Sequence, residues 1–259
     1  MEKSIFAERR VAVKALMAKN SIVILSAARE FIRNRDSEYA FRQSSDLLYL
    51  TGFNEPKAVL VMGPDIPDQL FVRDRDPLEE IWTGRRLGPE NVQSQLGIDQ
   101  GHGIDDFESQ INLLLDEVTT IEYPFNCNES VALVDKLIRN RKIQKRRSDT
   151  VTHRTDLTRN LGRLRMLKSV DEIKLMREAG RISAQGHLDA MRACRSGLTE
   201  DQLASIVEHR FRMEGSPALA YQTIVGGGEN ACILHYVARS DVLRDGDREL
   251  IDAGWEVDG

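Results

Sequence analysis

The sequence predicts an α/β domain in the N-terminal part of the chain, followed by a smaller α+β unit. In the first half of the 259 residues, short apolar runs of strand character alternate with segments whose apolar residues recur at helical spacing. In the second half, two helical segments come first and strand-like runs follow them. Hydrophobic residues make up 41% of the chain, which suffices for a core and argues against a disordered protein.

The first unit opens with a helical pattern over residues 5–19, where apolar side chains lie near one face between charges. Glycine and proline residues separate the apolar runs that follow. Strands are predicted at 21–25, 47–53, 58–62, 70–72 and 119–123. Further helices are predicted at 104–118 and 128–141, the second with apolar residues spaced for one buried face.

A basic segment separates the two predicted units. Residues 139–147 read RNRKIQKRR and are followed by polar residues, which is typical of a solvated helix end and a linker. We therefore predict one domain over residues 1–156 and a second over 157–259. A nucleic-acid contact is the alternative, but no aromatic residues are interleaved. The formal charge, 36 − 41 = −5, also argues against nucleic-acid binding.

Two capping boxes define the helices of the second unit. Ser169 with Glu172, and Thr199 with Gln202, have the spacing at which each side chain can bond the other residue's backbone N–H. Strands are then predicted at 221–225, 231–236 and 249–253. Three consecutive glycines at 226–228 suggest a tight connection, and the DGD sequence at 245–247 is a turn signature.

Several classes of protein are disfavoured by the composition. No apolar run approaches the ~18 residues needed to cross a bilayer. The N-terminus, MEKSIFAERR, lacks the apolar stretch of a secretory signal. The 3 cysteines are scattered and odd in number, as in proteins that keep their thiols reduced. We therefore expect a cytoplasmic protein without membrane spans.

Two residues are candidates for chemistry. His235 lies in the apolar run CILHY, where it is either a structural histidine or a catalytic one. Asp252 lies between Leu-Ile and Ala-Gly on a predicted strand, so burying its carboxylate requires a partner. A divalent cation is one such partner, and a backbone or arginine contact is another.

Longer motifs resemble the Xaa-Pro aminopeptidase (aminopeptidase P) family. In the first unit these are DSEY at 36–39, FRQSSD at 41–46, YLTGFNEP at 49–56 and EIWTGRRLG at 80–88. In the second unit they are LKSVDEI at 167–173, YQTIVGGGEN at 221–230, ILHY at 233–236, DGD at 245–247 and LIDAG at 250–254. The motifs occur in the family's order across essentially the whole chain.

This resemblance implies a fold and an activity. The expected fold is an α/β N-terminal domain of the creatinase type followed by the first half of an α+β "pita-bread" metallopeptidase domain. The implied activity is removal of an N-terminal residue that precedes proline. In the family, two divalent ions, usually Mn²⁺, share a bridging hydroxide that attacks the Xaa-Pro bond.

The resemblance also assigns roles to three residues. Asp252 corresponds to the first aspartate that binds metal. His235 corresponds to the histidine near the substrate that helps to stabilise the tetrahedral intermediate. Trp82 corresponds to a tryptophan that reaches a neighbouring subunit's site in oligomeric members, although a packed or surface indole is equally compatible with the sequence. The implied partners are peptides with proline at the second position and further copies of the chain.

The chain departs from the family pattern after Asp252. The second aspartate, the histidine and both glutamates of the family's metal site have no counterpart, so we expect a chain truncated within the catalytic domain and inactive on its own. We also expect residues 250–253 to lack a hairpin partner. Two alternatives remain open: a non-catalytic short form that acts as an oligomerisation or interaction module, and a relative with prolidase or creatinase activity.

Overall fold

The computed structural model describes residues 1–144, 151–215 and 218–259, which form two compact units. The first spans Met1–Leu167 and the second Lys168–Gly259. This boundary lies after Leu167, whereas the sequence placed it after Asp156. The reason is that Leu157 and Leu161 are fully buried in a core of the first unit. The predicted linker at 139–147 begins inside a helix that continues to Gln144, and its end lies outside the described residues.

The first unit alternates helices and strands. Its α-helices are α1 (Lys3–Lys14), α2 (Ser45–Thr51), α3 (Pro77–Thr83), α4 (Val92–Leu96), α5 (Phe107–Leu114), α6 (Asn128–Gln144) and α7 (Thr158–Met166). Its strands are β1 (Ser21–Ser26), β2 (Ile32–Asn34), β3 (Ser37–Glu38), β4 (Val59–Gly63), β5 (Ile66–Val72), β6 (Gln100–Gly103), β7 (Thr120–Tyr123) and β8 (His153–Asp156). Two 3₁₀ turns occupy Pro89–Asn91 and Ile104–Asp106.

A six-stranded mixed sheet organises this unit, in the order β6-β5-β4-β1-β7-β8. Strand β1 pairs antiparallel with β4 and parallel with β7. Alternate residues of β1 enter different cores: Val23 and Leu25 on one face, Ile22 and Ile24 on the other. Helices α1, α2, α4 and α7 contribute to the first core, and α5 and α6 to the second. The predicted α/β class is confirmed.

Residues 47–53, predicted as a strand, form most of helix α2. Leu47, Leu50 and Thr51 are fully buried at i, i+3 and i+4, which is a helical and not a strand spacing. Gly52 follows in the left-handed conformation with φ of 68° and ends the helix. The apolar run LLYL is too short for its period to distinguish the two structures.

The second unit contains α8 (Val170–Ala193), α9 (Glu200–Met213), β9 (Ile224–Gly227), a 3₁₀ helix (Gly228–Cys232) and β10 (Glu249–Asp252). Both predicted capping boxes are present. The N–H of Glu172 donates to Ser169 Oγ at 3.2 Å, and the N–H of Gln202 donates to Thr199 Oγ1 at 3.2 Å. Nonpolar side chains of α8, α9, β9 and β10 share a single core.

Strands β9 and β10 form an antiparallel pair in which Asp252 lies opposite Ile224 and Leu250 opposite Gly226. Residues 250–252 therefore have a partner strand on one side, β9. The expectation that residues 250–253 lack a hairpin partner on the other side stays a prediction. Residues 231–236, predicted as a strand, instead complete the 3₁₀ helix and an irregular segment. None of the described helices is long and apolar enough to cross a membrane.

Candidate active site

A cavity of about 420 Å³ in the second unit brings the two candidate residues together. Its lining residues come from β9, β10 and the segments that flank β9: Tyr221, Gln222, Ile224, His235, Val237 and Asp252. His235 and Asp252 are far apart in sequence. They come close because β10, which carries Asp252, pairs with β9, the strand that precedes the segment carrying His235. Both residues therefore face one ligand-sized space.

Asp252 is an exposed residue on β10, not a buried one as the sequence suggested. Exposure alternates along this strand, so that Leu250 and Asp252 share the open face while Ile251 packs against the core. The Tyr221 hydroxyl donates a hydrogen bond of 2.5 Å to Asp252 Oδ1. This bond raises the pKa of Tyr221 to about 12, so the phenol stays protonated and remains a donor to the carboxylate.

The position of Tyr221 depends on a glycine at the end of β10. A Cβ atom on Gly254 would lie 2.9 Å from Cε1 of the Tyr221 ring, closer than side chains normally approach. Gly254 therefore lets the ring lie against the backbone that follows Asp252. In the sequence, Tyr221 belongs to the motif YQTIVGGGEN, and nothing local to it predicts the contact with Asp252.

His235 lies on an exposed, irregular segment that follows the 3₁₀ helix. The apolar run around it does not form a buried strand: Leu234 is 87% exposed and Ile233 is 50% exposed. An imidazole in this position is accessible to a molecule in the cavity. This position is compatible with a ligand-facing histidine, and the catalytic role of His235 stays a prediction.

Glu200, the first residue of α9, is a polar centre that sequence reasoning missed. Its side chain is completely buried. Oε1 accepts from the Gly227 N–H at 2.8 Å and from Asn230 Nδ2 at 3.0 Å. Oε2 accepts from the Tyr236 hydroxyl at 2.8 Å and from the Asp241 N–H at 3.2 Å. Burial raises the pKa of Glu200, but these hydrogen bonds outweigh it and hold the pKa below its usual value.

Both units match known families. Residues 6–122 match the model of the aminopeptidase P N-terminal domain. Residues 174–259 match the model of metallopeptidase family M24. The second unit belongs to metallopeptidase family M24, and the first is an aminopeptidase P N-terminal domain. The family and the pita-bread fold class expected from the motifs are thereby confirmed.

Related proteins are similar over the whole chain. An Xaa-Pro aminopeptidase of Escherichia coli is 38% identical over 98% of this chain, and one of Haemophilus influenzae is 38% identical over 99%. The matched region spans 59% and 58% of those two relatives. The solved structure of Pseudomonas aeruginosa aminopeptidase PepP is 40% identical, with a TM-score of 0.93 over 100% of this chain and 60% of that one. Aminopeptidase P from E. coli with the inhibitor Pro-Leu gives a TM-score of 0.94 at 37% identity over the same shares.

Trp82 lies in the first unit, on helix α3, and is 88% exposed. Asp76 caps this helix by accepting from the Leu78 N–H at 2.9 Å. The indole is therefore a surface group and not a packed one. Its assignment to substrate binding stays a prediction.

The M24 unit offers a metal only part of a binding site. Among residues 1–144, 151–215 and 218–259, no group of three or more His, Cys, Asp or Glu side chains is placed to hold a metal ion. Asp252 is the one carboxylate in the lining of the cavity. A carboxylate is a suitable ligand for a divalent cation, but a single one does not make a binding site. These residues therefore do not form a complete binuclear centre.

Proposed function

We propose that this chain forms part of a metal-dependent aminopeptidase that releases the N-terminal residue preceding proline. The observation that carries the proposal is the cavity of the M24 unit, which exposes His235 and Asp252 to the same space. Relatives that match nearly the whole chain are Xaa-Pro aminopeptidases. A cytoplasmic location and a homo-oligomer, both expected from the sequence, belong to the same proposal.

Each lining residue has a role that follows from its chemistry. His235 can donate a hydrogen bond to the oxygen that gains negative charge when the scissile carbonyl is attacked. Asp252 supplies one carboxylate ligand, held in orientation by the Tyr221 hydroxyl. Ile224 and Val237 give the cavity apolar wall, which suits the ring of a proline residue whose amide has no N–H. Two divalent ions, manganese by resemblance, would require further ligands in addition to Asp252.

One observation favours a second function. The cavity lining contains a single carboxylate, Asp252, and the non-catalytic oligomerisation or interaction module that the sequence left open makes no use of it. Such a module needs no intact metal centre. The two functions predict different results once further metal ligands are supplied. Only for the aminopeptidase should substitution of Asp252 or His235 then change turnover.

A pair of assays distinguishes the two functions. We expect the 259-residue chain with Mn²⁺ to give negligible release of the first residue from an Xaa-Pro peptide and no tight Mn²⁺ binding. A chimera that continues this chain with the remaining C-terminal part of the E. coli relative, which lies outside the 59% matched here, is expected to be active. Robust metal-dependent release by the 259 residues alone would refute the need for further ligands.

Substitutions in the chimera test the individual roles. Asp252→Asn is expected to abolish metal-dependent release, and His235→Ala to lower kcat by roughly 10²–10³-fold, the usual cost of losing an oxyanion donor. Asp245→Asn, in the exposed turn, and His209→Ala, on the exposed side of α9, are the matched controls. Equal activity of the Asp252 and Asp245 variants would contradict the assignment of Asp252. An inactive but correctly folded chimera would favour the interaction module.

A further inference from the structure

The carboxylate of Glu200 connects four separate pieces of the second unit. Its four hydrogen-bond donors are Gly227 at the end of β9, Asn230 in the 3₁₀ helix, Tyr236 directly after His235, and Asp241. The chain separations between Glu200 and these donors are 27, 30, 36 and 41 residues. A completely buried carboxylate with four donors is a strongly bonded group, because each bond to the ionised form is charge-assisted.

These bonds enclose the segment that carries His235. Gly227 and Asp241 lie at the two ends of residues 227–241, and both donate backbone N–H groups to Glu200. Tyr236, the immediate neighbour of His235, donates its hydroxyl from within the segment. The cavity residues His235 and Val237 thus lie between anchored points.

The N-terminus of α9 adds further contacts to the same segment. The Glu200 N–H donates to the Asp241 carbonyl at 3.0 Å, and the Asp201 N–H donates to the Arg239 carbonyl at 3.0 Å. The Arg239 guanidinium also donates to Glu208 Oε1 at 3.1 Å, about two helical turns further along α9. The irregular segment is therefore held chiefly against α9 and not by pairing with a neighbouring strand.

Asp252 is held by different groups. Asp252 pairs with Ile224, at the end of β9 away from Gly227, and its carboxylate accepts from Tyr221, so neither contact is made by Glu200 itself. A change at Glu200 should consequently displace His235 while leaving Asp252 in place. This separation allows the role of Glu200 to be distinguished from a general loss of the fold.

We infer that Glu200 is a positioning residue, which acts through Tyr236 and Asn230 to hold His235 at the cavity. The importance of Glu200 for catalysis rests on the role proposed above for His235. Its effect on the position of the His235 imidazole does not, because that position is defined without substrate or metal. Burial and the bond to Glu200 both raise the pKa of the Tyr236 phenol, in keeping with its role as a permanent donor.

The test compares three variants of the 259-residue chain by NMR and amide hydrogen exchange. Glu200→Gln replaces an acceptor oxygen with an N–H₂ group, and Tyr236→Phe removes one donor with little change of volume. Glu229→Gln, at an exposed position in the same 3₁₀ helix, is the matched control. The His235 resonance is assigned by its disappearance in His235→Gln.

We expect Glu200→Gln and Tyr236→Phe to shift the His235 imidazole resonance and to speed amide exchange across residues 228–241. The expected increase is about tenfold or more, which corresponds to the loss of one hydrogen bond to a charged group. Exchange at core positions of α9, such as Val207 and Phe211, should stay unchanged, as should every readout in Glu229→Gln.

Two results would overturn the inference. One is an unchanged His235 resonance in both variants. The other is a loss of protection spread over α8 and α9 with no selective effect at 228–241, which would make Glu200 a residue of general stability. If Glu200→Gln does not fold, the milder Tyr236→Phe variant decides between these outcomes. Because no turnover is measured, a failed aminopeptidase assay leaves this test intact.

Discussion

Two glycines of helix α8 give a quantitative test of how the second unit packs. A Cβ atom on Gly186 would lie 2.9 Å from Phe211 Cε1 and 3.1 Å from Val207 Cγ1, two fully buried side chains of α9. A Cβ atom on Gly180 of the same helix would meet nothing within 4 Å. Substitution by alanine therefore gives the same gain in helix propensity at both positions and a steric cost at only one.

The magnitudes follow from these contacts. Gly→Ala inside a helix stabilises by about 0.5–1 kcal/mol, which is the expected effect of Gly180→Ala. Overpacking a dense core costs about 1–3 kcal/mol, so Gly186→Ala should be neutral to destabilising by about 2 kcal/mol. The difference between the variants isolates the steric cost, about 1–3 kcal/mol. A difference of 2 kcal/mol corresponds to a shift of about 1 M in the urea midpoint.

The assay must report on the second unit alone, because two units need not unfold together. The chain has 2 tryptophans, and Trp255 packs against the core of the second unit. In a Trp82→Phe background, Trp255 fluorescence follows this unit during urea unfolding. Equal midpoints for the two alanine variants would refute the close packing of α8 against α9.

Two further predictions concern the first unit. Burial raises the pKa of Glu122 above its value of about 4.5 in the unfolded chain. The free energy of unfolding of the first unit therefore falls as the pH rises from the unfolded pKa through the folded pKa. Glu122→Gln should therefore gain stability relative to the parent chain between pH 4 and pH 7 in urea unfolding, and a pH-independent difference would contradict this. Arg10 is buried and donates to Asp68 Oδ2 at 2.8 Å and to the Leu50 and Gly97 carbonyls. Because Lys14 also pairs with Asp68, Arg10→Met should destabilise the unit by about 2–4 kcal/mol, chiefly through the lost hydrogen bonds. The exposed Lys136→Met should cost about 0.5 kcal/mol or less, and hydrogen exchange of the β1 amides measures both.

The sequence predicted best those elements whose signals are local. The two capping boxes span three residues each, and the structure contains both. The run at 21–25 predicted strand β1, but its order in the sheet, between β4 and β7, depends on residues far along the chain. Because all five residues are buried, their pattern did not reveal which side chains enter which core.

The candidate site was predicted in part. The local sequence marked His235 and Asp252 as candidates, the motif resemblance gave them roles, and the structure places both at one cavity. Tyr221 was missed as a partner of Asp252 because a contact across 31 residues leaves no local pattern. Residues 231–236 have the composition of a strand, but Asn230 and Tyr236 bond to Glu200 and so follow an irregular course. Tertiary hydrogen bonds here override strand propensity.

The local sequence around Glu200 does not reveal its tertiary hydrogen bonds. An acidic residue in the first turn of a helix is ordinarily explained by the helix dipole and solvent exposure, and the capping box around it already accounts for this pattern. The structure instead buries the carboxylate and directs it at the segment that carries His235. The position of His235 therefore depends on the N-terminus of α9 being formed. It follows that a substitution in α9, remote in sequence from every cavity residue, can displace His235 without touching the cavity wall.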